Sequence, residues 1–126
     1  MENKSGPTFG NGKICYLEIP ARNIEESARF YQEVFGWRIR KDNSGNTSFD
    51  DGVGEVSGMW VLSRKPSTEP GLLVSIMVDD LTRTMSLVLR HGGKNEGDSM
   101  GLSAGEKIAR FSDPTGNIFC LYQCGH

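Results

Sequence analysis

The sequence predicts an α+β domain that consists of two copies of a βαβββ module. The first observation is that residues 13–36 read as a short apolar strand followed by an amphipathic helix. The second is that the same order returns in residues 72–93. The third is that one alignment of these segments places Asn23 on Asp80 at the start of the two helices. The same alignment places a glycine at the C-terminal end of each helix. A weak internal repeat therefore accounts for the organisation of the chain.

The first copy begins with the alternating segment 13–20, which predicts a half-buried strand with Cys15, Leu17 and Ile19 on its apolar face. Asn23 has the side chain of a helix N-cap, and apolar residues follow at helical spacing until Gly36. Three further strands, separated by Gly-rich loops, are predicted at Trp37–Lys41, Thr47–Asp50 and Val56–Ser63. The first half thus reads βαβββ.

The second copy begins with the β-branched run Leu72–Val78. Asp80 is predicted to cap a helix that stops at Gly92 and Gly93. A loosely structured stretch is expected at Gly97–Gly105. Two more strands follow, joined by the turn sequence Asp-Pro-Thr-Gly, at Lys107–Ser112 and Ile118–Gln123.

The length and the termini indicate one domain. A chain of 126 residues is long enough for one hydrophobic core and too short for two. We expect this domain to span residues 13–126, with modules at about 13–65 and 70–123. Residues 1–12 are polar and Gly-rich, which predicts a flexible tail.

Charge and composition exclude several classes of partner. The 14 basic and 16 acidic residues give a net charge of −2, so the chain lacks the positive surplus that a phosphate backbone would attract. The longest apolar run is far shorter than the roughly 18 residues that span a membrane. Three cysteines without a C-x-x-C pair favour a reducing compartment. We therefore expect a cytoplasmic protein that binds neither nucleic acid nor membrane.

Strand alternation predicts which side chains line a cleft. If Leu17 and Ile19 pack against the helices, Tyr16 and Glu18 lie on the opposite face of the same strand. In the second copy, the repeat predicts that Val74, Ile76 and Val78 face the helix. Leu73, Ser75 and Met77 then lie on the opposite face. A sheet covered by helices on one side leaves its mixed face free to surround a small molecule.

The chain resembles the vicinal oxygen chelate superfamily, which includes glyoxalase I, bleomycin and fosfomycin resistance proteins and extradiol dioxygenases. The segments that carry the resemblance are ICYLEIPARNIEESARFYQEVFGW, VSIMVDDLTRTMSLVLRHGGK and ARFSDPTGNIFCLYQ. FYQEVFGW and DPTGNIF are the most specific of these motifs. The resemblance implies a curved, roughly eight-stranded mixed sheet around a cleft, with the helices on the outer face. In many members that cleft binds a divalent metal.

The resemblance does not carry a metal site over to this sequence. The position in the first strand where members often have His is Tyr16, and its repeat partner is Leu73. The position in the last strand that is Glu in metal-dependent members is Cys120. A catalytic metal needs several converging oxygen or nitrogen donors, which these residues do not supply. We therefore expect no metal and no cofactor.

Strand alternation and the resemblance together predict the site residues. Glu18 is the candidate general base, with a hydrogen-bonded carboxylate at the rim as the alternative. Arg110 is a candidate anion clamp, with a salt bridge to Glu18 or another acid as the alternative. Trp60 is a wall residue or a core residue, and Cys120 is an inert small side chain rather than a reactive thiol. The complete set of expected ligand-binding residues is Tyr16, Ser75, Trp60, Arg110, Ile118, Cys120 and Tyr122.

Three functions compete at this level. The first is binding of a small molecule in a metal-free cleft, as bleomycin resistance proteins do. The second is lyase or isomerase activity with Glu18 as general base. The third is a structural or regulatory domain without a ligand. A homodimer is expected, because apolar residues must cover both faces of the sheet.

Overall fold

The computed structural model describes residues 6–97, 100–101 and 105–125. The first module contains β1 (Tyr16–Pro20), α1 (Ile24–Phe35), β2 (Arg38–Lys41), β3 (Thr47–Asp50) and β4 (Ser57–Val61). The second contains β5 (Ser75–Val78), α2 (Leu81–Arg90), β6 (Lys94–Asn95), β7 (Met100–Gly101), β8 (Lys107–Ser112) and β9 (Ile118–Gln123). Residues 1–5 of the expected tail and parts of the stretch expected to be loose lie outside the described residues.

The strands form two hydrogen-bonded sheets, one in each module. Sheet 1 has the order β1-β4-β3-β2, in which β1 runs parallel to β4 and the other pairs are antiparallel. Sheet 2 has the order β5-β9-β8-β6, in which β5 runs parallel to β9, and β7 pairs with β8 beside β6. The predicted α+β class and the two βαβββ modules are confirmed.

The structure also corrects the strands of the second module. The strand expected over Leu72–Val78 begins only at Ser75, although the carbonyl of Val74 still accepts a hydrogen bond from the N–H of Cys120 at 2.9 Å. The two-residue strands β6 and β7 were not predicted. They are too short to show a hydrophobic period, and their pairing with β8 defines them.

Both helices begin at the predicted caps. The side chain of Asn23 accepts a hydrogen bond from the backbone N–H of Glu26 at 2.9 Å, and that of Asp80 accepts one from Arg83 at 3.0 Å. Helix α1 ends at Gly36, whose φ of 72° is the left-handed conformation that favours glycine. The caps therefore fix both helices at equivalent places in the two modules.

The helices cover one face of each sheet and join both sheets in a common hydrophobic core. Tyr31 of α1 stacks on Trp37 with ring centroids 4.6 Å apart, and Trp37 stacks on Phe49 of β3 at 4.5 Å. Phe30 of the same helix reaches the second module, where its ring lies 6.2 Å from that of Phe111. One helix thus packs on aromatic side chains of both sheets.

Trp60 belongs to this core. It is 2% exposed, and its ring lies 4.8 Å from that of Phe49. Its register partner in β1 is Ile19, and paired residues of neighbouring strands share a face of the sheet. The structure therefore places Trp60 in core packing, which was the alternative interpretation, and not in the wall of a ligand site with Tyr16 and Glu18.

The turn between β8 and β9 joins the two modules through the buried carboxylate of Asp113. Its Oδ1 atom accepts hydrogen bonds from the backbone N–H groups of Thr115, Gly116 and Asn117 at 2.9–3.0 Å. Its Oδ2 atom accepts hydrogen bonds from the Tyr31 hydroxyl at 2.7 Å and from the Asn117 side chain at 2.9 Å. The motif DPTGN thus satisfies a buried charge with donors from both modules.

Asn117 extends the same network. Its amide nitrogen donates to the carbonyl of Pro20, at the end of β1, over 2.7 Å. Its amide oxygen accepts from the backbone N–H of Ser67, in the segment between the modules, over 2.7 Å. We call the side chains of Tyr31, Asp113 and Asn117 the junction network, since they tie α1, β1, the connecting segment and β9 together.

Burial governs the protonation of this network. Loss of solvent raises the pKa of the Asp113 carboxyl, and the hydrogen bonds from Asn117 and Tyr31 oppose the increase. The pKa of Tyr31 lies well above its ordinary value, because the hydroxyl is buried and faces the Asp113 carboxylate. Tyr31 therefore keeps its proton and remains the donor.

Replacing Asn117 by Ala should lower the free energy of unfolding by about 2–4 kcal/mol. The change removes one donor and one acceptor that serve buried backbone groups, and it leaves the Asp113 carboxylate with fewer donors. Urea unfolding followed by circular dichroism measures the effect. The matched control is Asn46→Ala, whose exposed side chain donates a hydrogen bond to Asp42. An equal loss in both variants would contradict a special role for the junction network.

Candidate functional site

The face of each sheet that the helices leave uncovered is called here its open face. On β1, Leu17 and Ile19 point to the core, whereas Tyr16 is 50% exposed and Glu18 is exposed. On β5, Ile76 and Val78 pack against the core, and the open face receives Ser75 and Met77. The alternation read from the sequence therefore assigns the two faces correctly within β1 and β5. It is wrong for Cys15 and Val74, which were expected on the core side but precede these strands and are exposed.

The open face of sheet 1 is polar. Register pairs Tyr16 with Ser57, and Ser57 with Asp50, across three strands. The next row pairs Glu18 with Met59, which in turn pairs with Ser48. Hydroxyl and carboxylate groups therefore dominate this face.

Glu18 is engaged in an ion pair on this face. Its Oε1 atom accepts hydrogen bonds from Nη2 and Nε of Arg64 at 2.7 and 2.9 Å. The Glu18 side chain keeps 41% of its surface exposed, so water screens the pair. The hydrogen-bonded carboxylate that the sequence left as an alternative is thus present, and its partner is Arg64 rather than Arg110.

Asp50 is the second paired carboxylate of sheet 1. Its two oxygens accept hydrogen bonds from Nε and Nη2 of Arg40, both at 3.0 Å, and Oδ1 also accepts from the hydroxyl of Ser57 at 2.7 Å. The hydrogen bond from Arg40 holds the pKa of Asp50 below its usual value, and Ser57 adds to this effect. Asp50 is the last residue of β3, whose bounds match the strand predicted over Thr47–Asp50.

The open face of sheet 2 is more apolar and carries one guanidinium group. Register places Arg110, Cys120 and Ser75 in one row across β8, β9 and β5. The neighbouring row contains Ile108, Tyr122 and Met77, of which Met77 is 71% exposed. Cys120 is only 2% exposed, so it contributes backbone and a small buried side chain to this face.

Tyr122 has an acidic partner at the edge of this face. Its hydroxyl donates to Oε2 of Glu106 over 2.5 Å. That hydrogen bond, together with burial and the nearby negative charge, raises the pKa of Tyr122 to about 12. The phenol therefore stays protonated at neutral pH and can act only as a donor or as an apolar surface.

The structure separates the predicted site residues into three places. Tyr16 and Glu18 lie on the open face of sheet 1, and Trp60 lies in the core. The remaining five belong to sheet 2, namely Ser75, Arg110, Ile118, Cys120 and Tyr122. The sequence did not predict the roles of Arg64, which binds Glu18, and Glu106, which binds Tyr122. Hydrophobic periodicity carries no information about contacts between separate segments of the chain.

The residues at the metal positions implied by the resemblance do not fit a metal ion. Leu73 has no donor atom, and the thiol of Cys120 is buried. Tyr16 alone would offer an oxygen, where a stable site needs several. Within residues 6–97, 100–101 and 105–125, no group of three or more His, Cys, Asp or Glu side chains is arranged to hold a metal ion.

The comparisons with known proteins agree with this architecture. A family model described as a glyoxalase-like domain matches residues 16–122. A glyoxylase-like domain-containing protein from Didymella fabae is 29% identical over 121 residues, which cover 88% of this chain and 93% of the relative.

Solved structures show the same fold at low sequence identity. A member of the glyoxalase/bleomycin resistance protein/dioxygenase superfamily from Sphaerobacter thermophilus superimposes with a TM-score of 0.70 at 18% identity, covering 90% of this chain and 98% of the other. The fosfomycin resistance protein FosX from Mesorhizobium loti gives a TM-score of 0.69 at 17% identity, covering 92% and 94%.

Paired βαβββ modules with helices on one face and an open face on the other define a protein of the vicinal oxygen chelate superfamily. More narrowly, the chain belongs to the family of glyoxalase-like domains. In the part of the chain that the structure describes, neither helix is both long and apolar enough to cross a membrane.

The ion pair of Asp50 should make stability depend on pH. The folded pKa of Asp50 lies below its unfolded value, so its contribution is present above about pH 4 and is lost as the pH falls through the folded pKa. We expect Asp50→Asn to cost about 1 kcal/mol near neutral pH and progressively less toward about pH 3.

Urea unfolding of both proteins at several pH values measures this difference. Asp79→Asn, which changes an exposed carboxylate outside the sheet faces, is the control and should leave the free energy of unfolding nearly unchanged. A cost of Asp50→Asn that stays constant across the range would show that the carboxylate charge does not contribute.

Proposed function

We propose that this protein binds a small organic molecule on the open faces of its two sheets. The observation that carries the proposal is that each sheet is covered by helices on one side only, while its other side displays ordered rows of hydroxyl, charged and apolar side chains. Ligand sites combine apolar walls with a few convergent polar groups, and these rows contain both.

The expected ligand contacts divide between the sheets. On sheet 2, Ile118 and Tyr122 offer apolar surface, and Ser75 and Arg110 offer donors. On sheet 1, Tyr16 offers a half-exposed phenol. Cys120 is 2% exposed, so the proposal gives it no direct contact with the ligand.

We further propose that binding needs no metal ion, since the residues at the corresponding positions lack the donors. Lyase or isomerase activity with Glu18 as base is the second candidate. It has less support, because Arg64 already binds the carboxylate oxygen that would accept a proton. A cytoplasmic location remains our expectation, since three cysteines without a C-x-x-C pair are typical of a reducing compartment.

The exposed apolar residues at one edge of sheet 2 support a homodimer. Leu72, Leu73 and Val74, which precede β5, and Met77 within it are exposed, and β5 is the edge strand of the sheet. We propose that a second copy covers this edge.

The ligand proposal is tested by a thermal-shift screen of small aromatic and aliphatic compounds, with backbone amide shifts measured for each hit. Hits should perturb amides in β1, β5, β8 and β9, and binding should persist in EDTA. Ser75→Trp should abolish binding by filling the open face, whereas Ser86→Trp on the exposed side of α2 should not. Hits that perturb only helix amides, or that require an added metal, would contradict the proposal.

Sedimentation equilibrium at tens of micromolar tests the dimer. We expect twice the chain mass of 13.9 kDa. Met77→Lys should shift the equilibrium toward monomer by placing a charge on the covered edge. The matched variant Leu89→Lys, on an exposed position of α2, should stay dimeric. A wild-type monomer at that concentration would overturn the proposal.

A further inference from the structure

We infer that the ligand carries an anionic group beside an apolar body, and that Arg110 binds the anion on the open face of sheet 2. This inference rests on the proposed binding function and specifies its ligand class. It follows from the register around Arg110, from the contrast with Arg64 and Arg40, which are bound to carboxylates, and from the apolar row next to it.

Register places two small residues in the row of Arg110. Arg110 pairs with Cys120, and Cys120 pairs with Ser75, so the three residues lie side by side on three adjacent strands. Directly paired residues of neighbouring strands have Cβ atoms about 4.5–5.5 Å apart. Ser75 is exposed, so its hydroxyl adds an accessible donor within the row.

The guanidinium of Arg110 differs in its partners from those of Arg64 and Arg40, two arginines at the open face of sheet 1. Arg64 is bound to Glu18 and Arg40 is bound to Asp50. Within the described residues, no carboxylate oxygen lies within 4.0 Å of a nitrogen of Arg110, and the residue is exposed. A guanidinium is always charged and presents five donors in a planar fork that suits carboxylate and phosphate groups.

One acidic side chain is a competitor for Arg110 within the chain. The backbone N–H of Glu96 donates to the carbonyl of Arg110 at 2.9 Å, which places the two residues opposite each other on neighbouring strands. The Glu96 carboxylate, however, accepts a hydrogen bond from the hydroxyl of Ser112 at 2.8 Å. Ser112 thus holds the carboxylate next to itself, and the guanidinium is left for a ligand.

An apolar surface begins one row away. Ile108 and Tyr122 lie two residues along their strands from Arg110 and Cys120, and Met77 continues that row at the sheet edge. Residues two apart on a strand are separated by about 7 Å. A molecule with an anionic group joined to a ring or short chain of that length would contact both rows at once.

The test compares two probes that differ only in charge, 4-phenylbutyrate and 4-phenylbutyramide. Titrations at low salt are followed by backbone amide shifts. We expect the carboxylate to perturb β5, β8 and β9 and to bind about tenfold more tightly than the amide. Arg110→Met should remove this preference, and Arg83→Met, which deletes an exposed arginine of α2, should preserve it. Glu96→Gln should tighten binding of the carboxylate by removing the competing charge.

The outcomes separate the two proposals. If both probes bind the open face with equal affinity, or if Arg110→Met keeps the preference for the carboxylate, the inference is overturned while the proposed function stands. If neither probe perturbs open-face amides while other compounds from the screen do, the anionic ligand class is again overturned. If no compound of any class binds the open faces, both proposals fail.

Discussion

The carboxylate of Asp113 is the group on which the arrangement of the two modules depends. It is 3% exposed, and an ionised carboxyl group can be buried only if hydrogen-bond donors surround it. Three donors come from its own turn, and Tyr31 supplies another from α1. Asn117 then reaches the end of β1. Satisfying one buried charge therefore holds elements of both modules in a single geometry, and the packing of α1 on aromatic residues of both sheets reinforces it.

The packing of the helices explains why the polar and charged side chains of the strands lie on the open faces. The helices and the aromatic cluster occupy one face of each sheet, so polar and charged side chains of the strands must emerge on the other. Sheet 1 neutralises its carboxylates with Arg64 and Arg40. Sheet 2 presents Arg110 beside small and apolar residues. The two open faces thus differ in character, although the modules that carry them repeat each other.

The metal positions show how a fold can persist while its site chemistry changes. Cys120 keeps the backbone pairing of β9 without offering the donor of a hard metal site, and Leu73, which precedes β5, has no donor side chain. Ladder pairing depends on backbone N–H and carbonyl groups and on alternation, so such replacements do not disturb the sheets. Arg110, the register partner of Cys120, places a positively charged side chain next to this position.

Much of the fold was determined by sequence alone. Alternation assigned Leu17 inward and Tyr16 outward, and the caps at Asn23 and Asp80 located both helices, because these signals act between residues a few positions apart. Tertiary structure decided the rest. It buried Trp60 against the core, paired Glu18 with Arg64 across 46 residues and brought Arg110, Cys120 and Ser75 into one row of sheet 2. Those outcomes depend on strand register and on contacts between distant segments, which local periodicity does not encode.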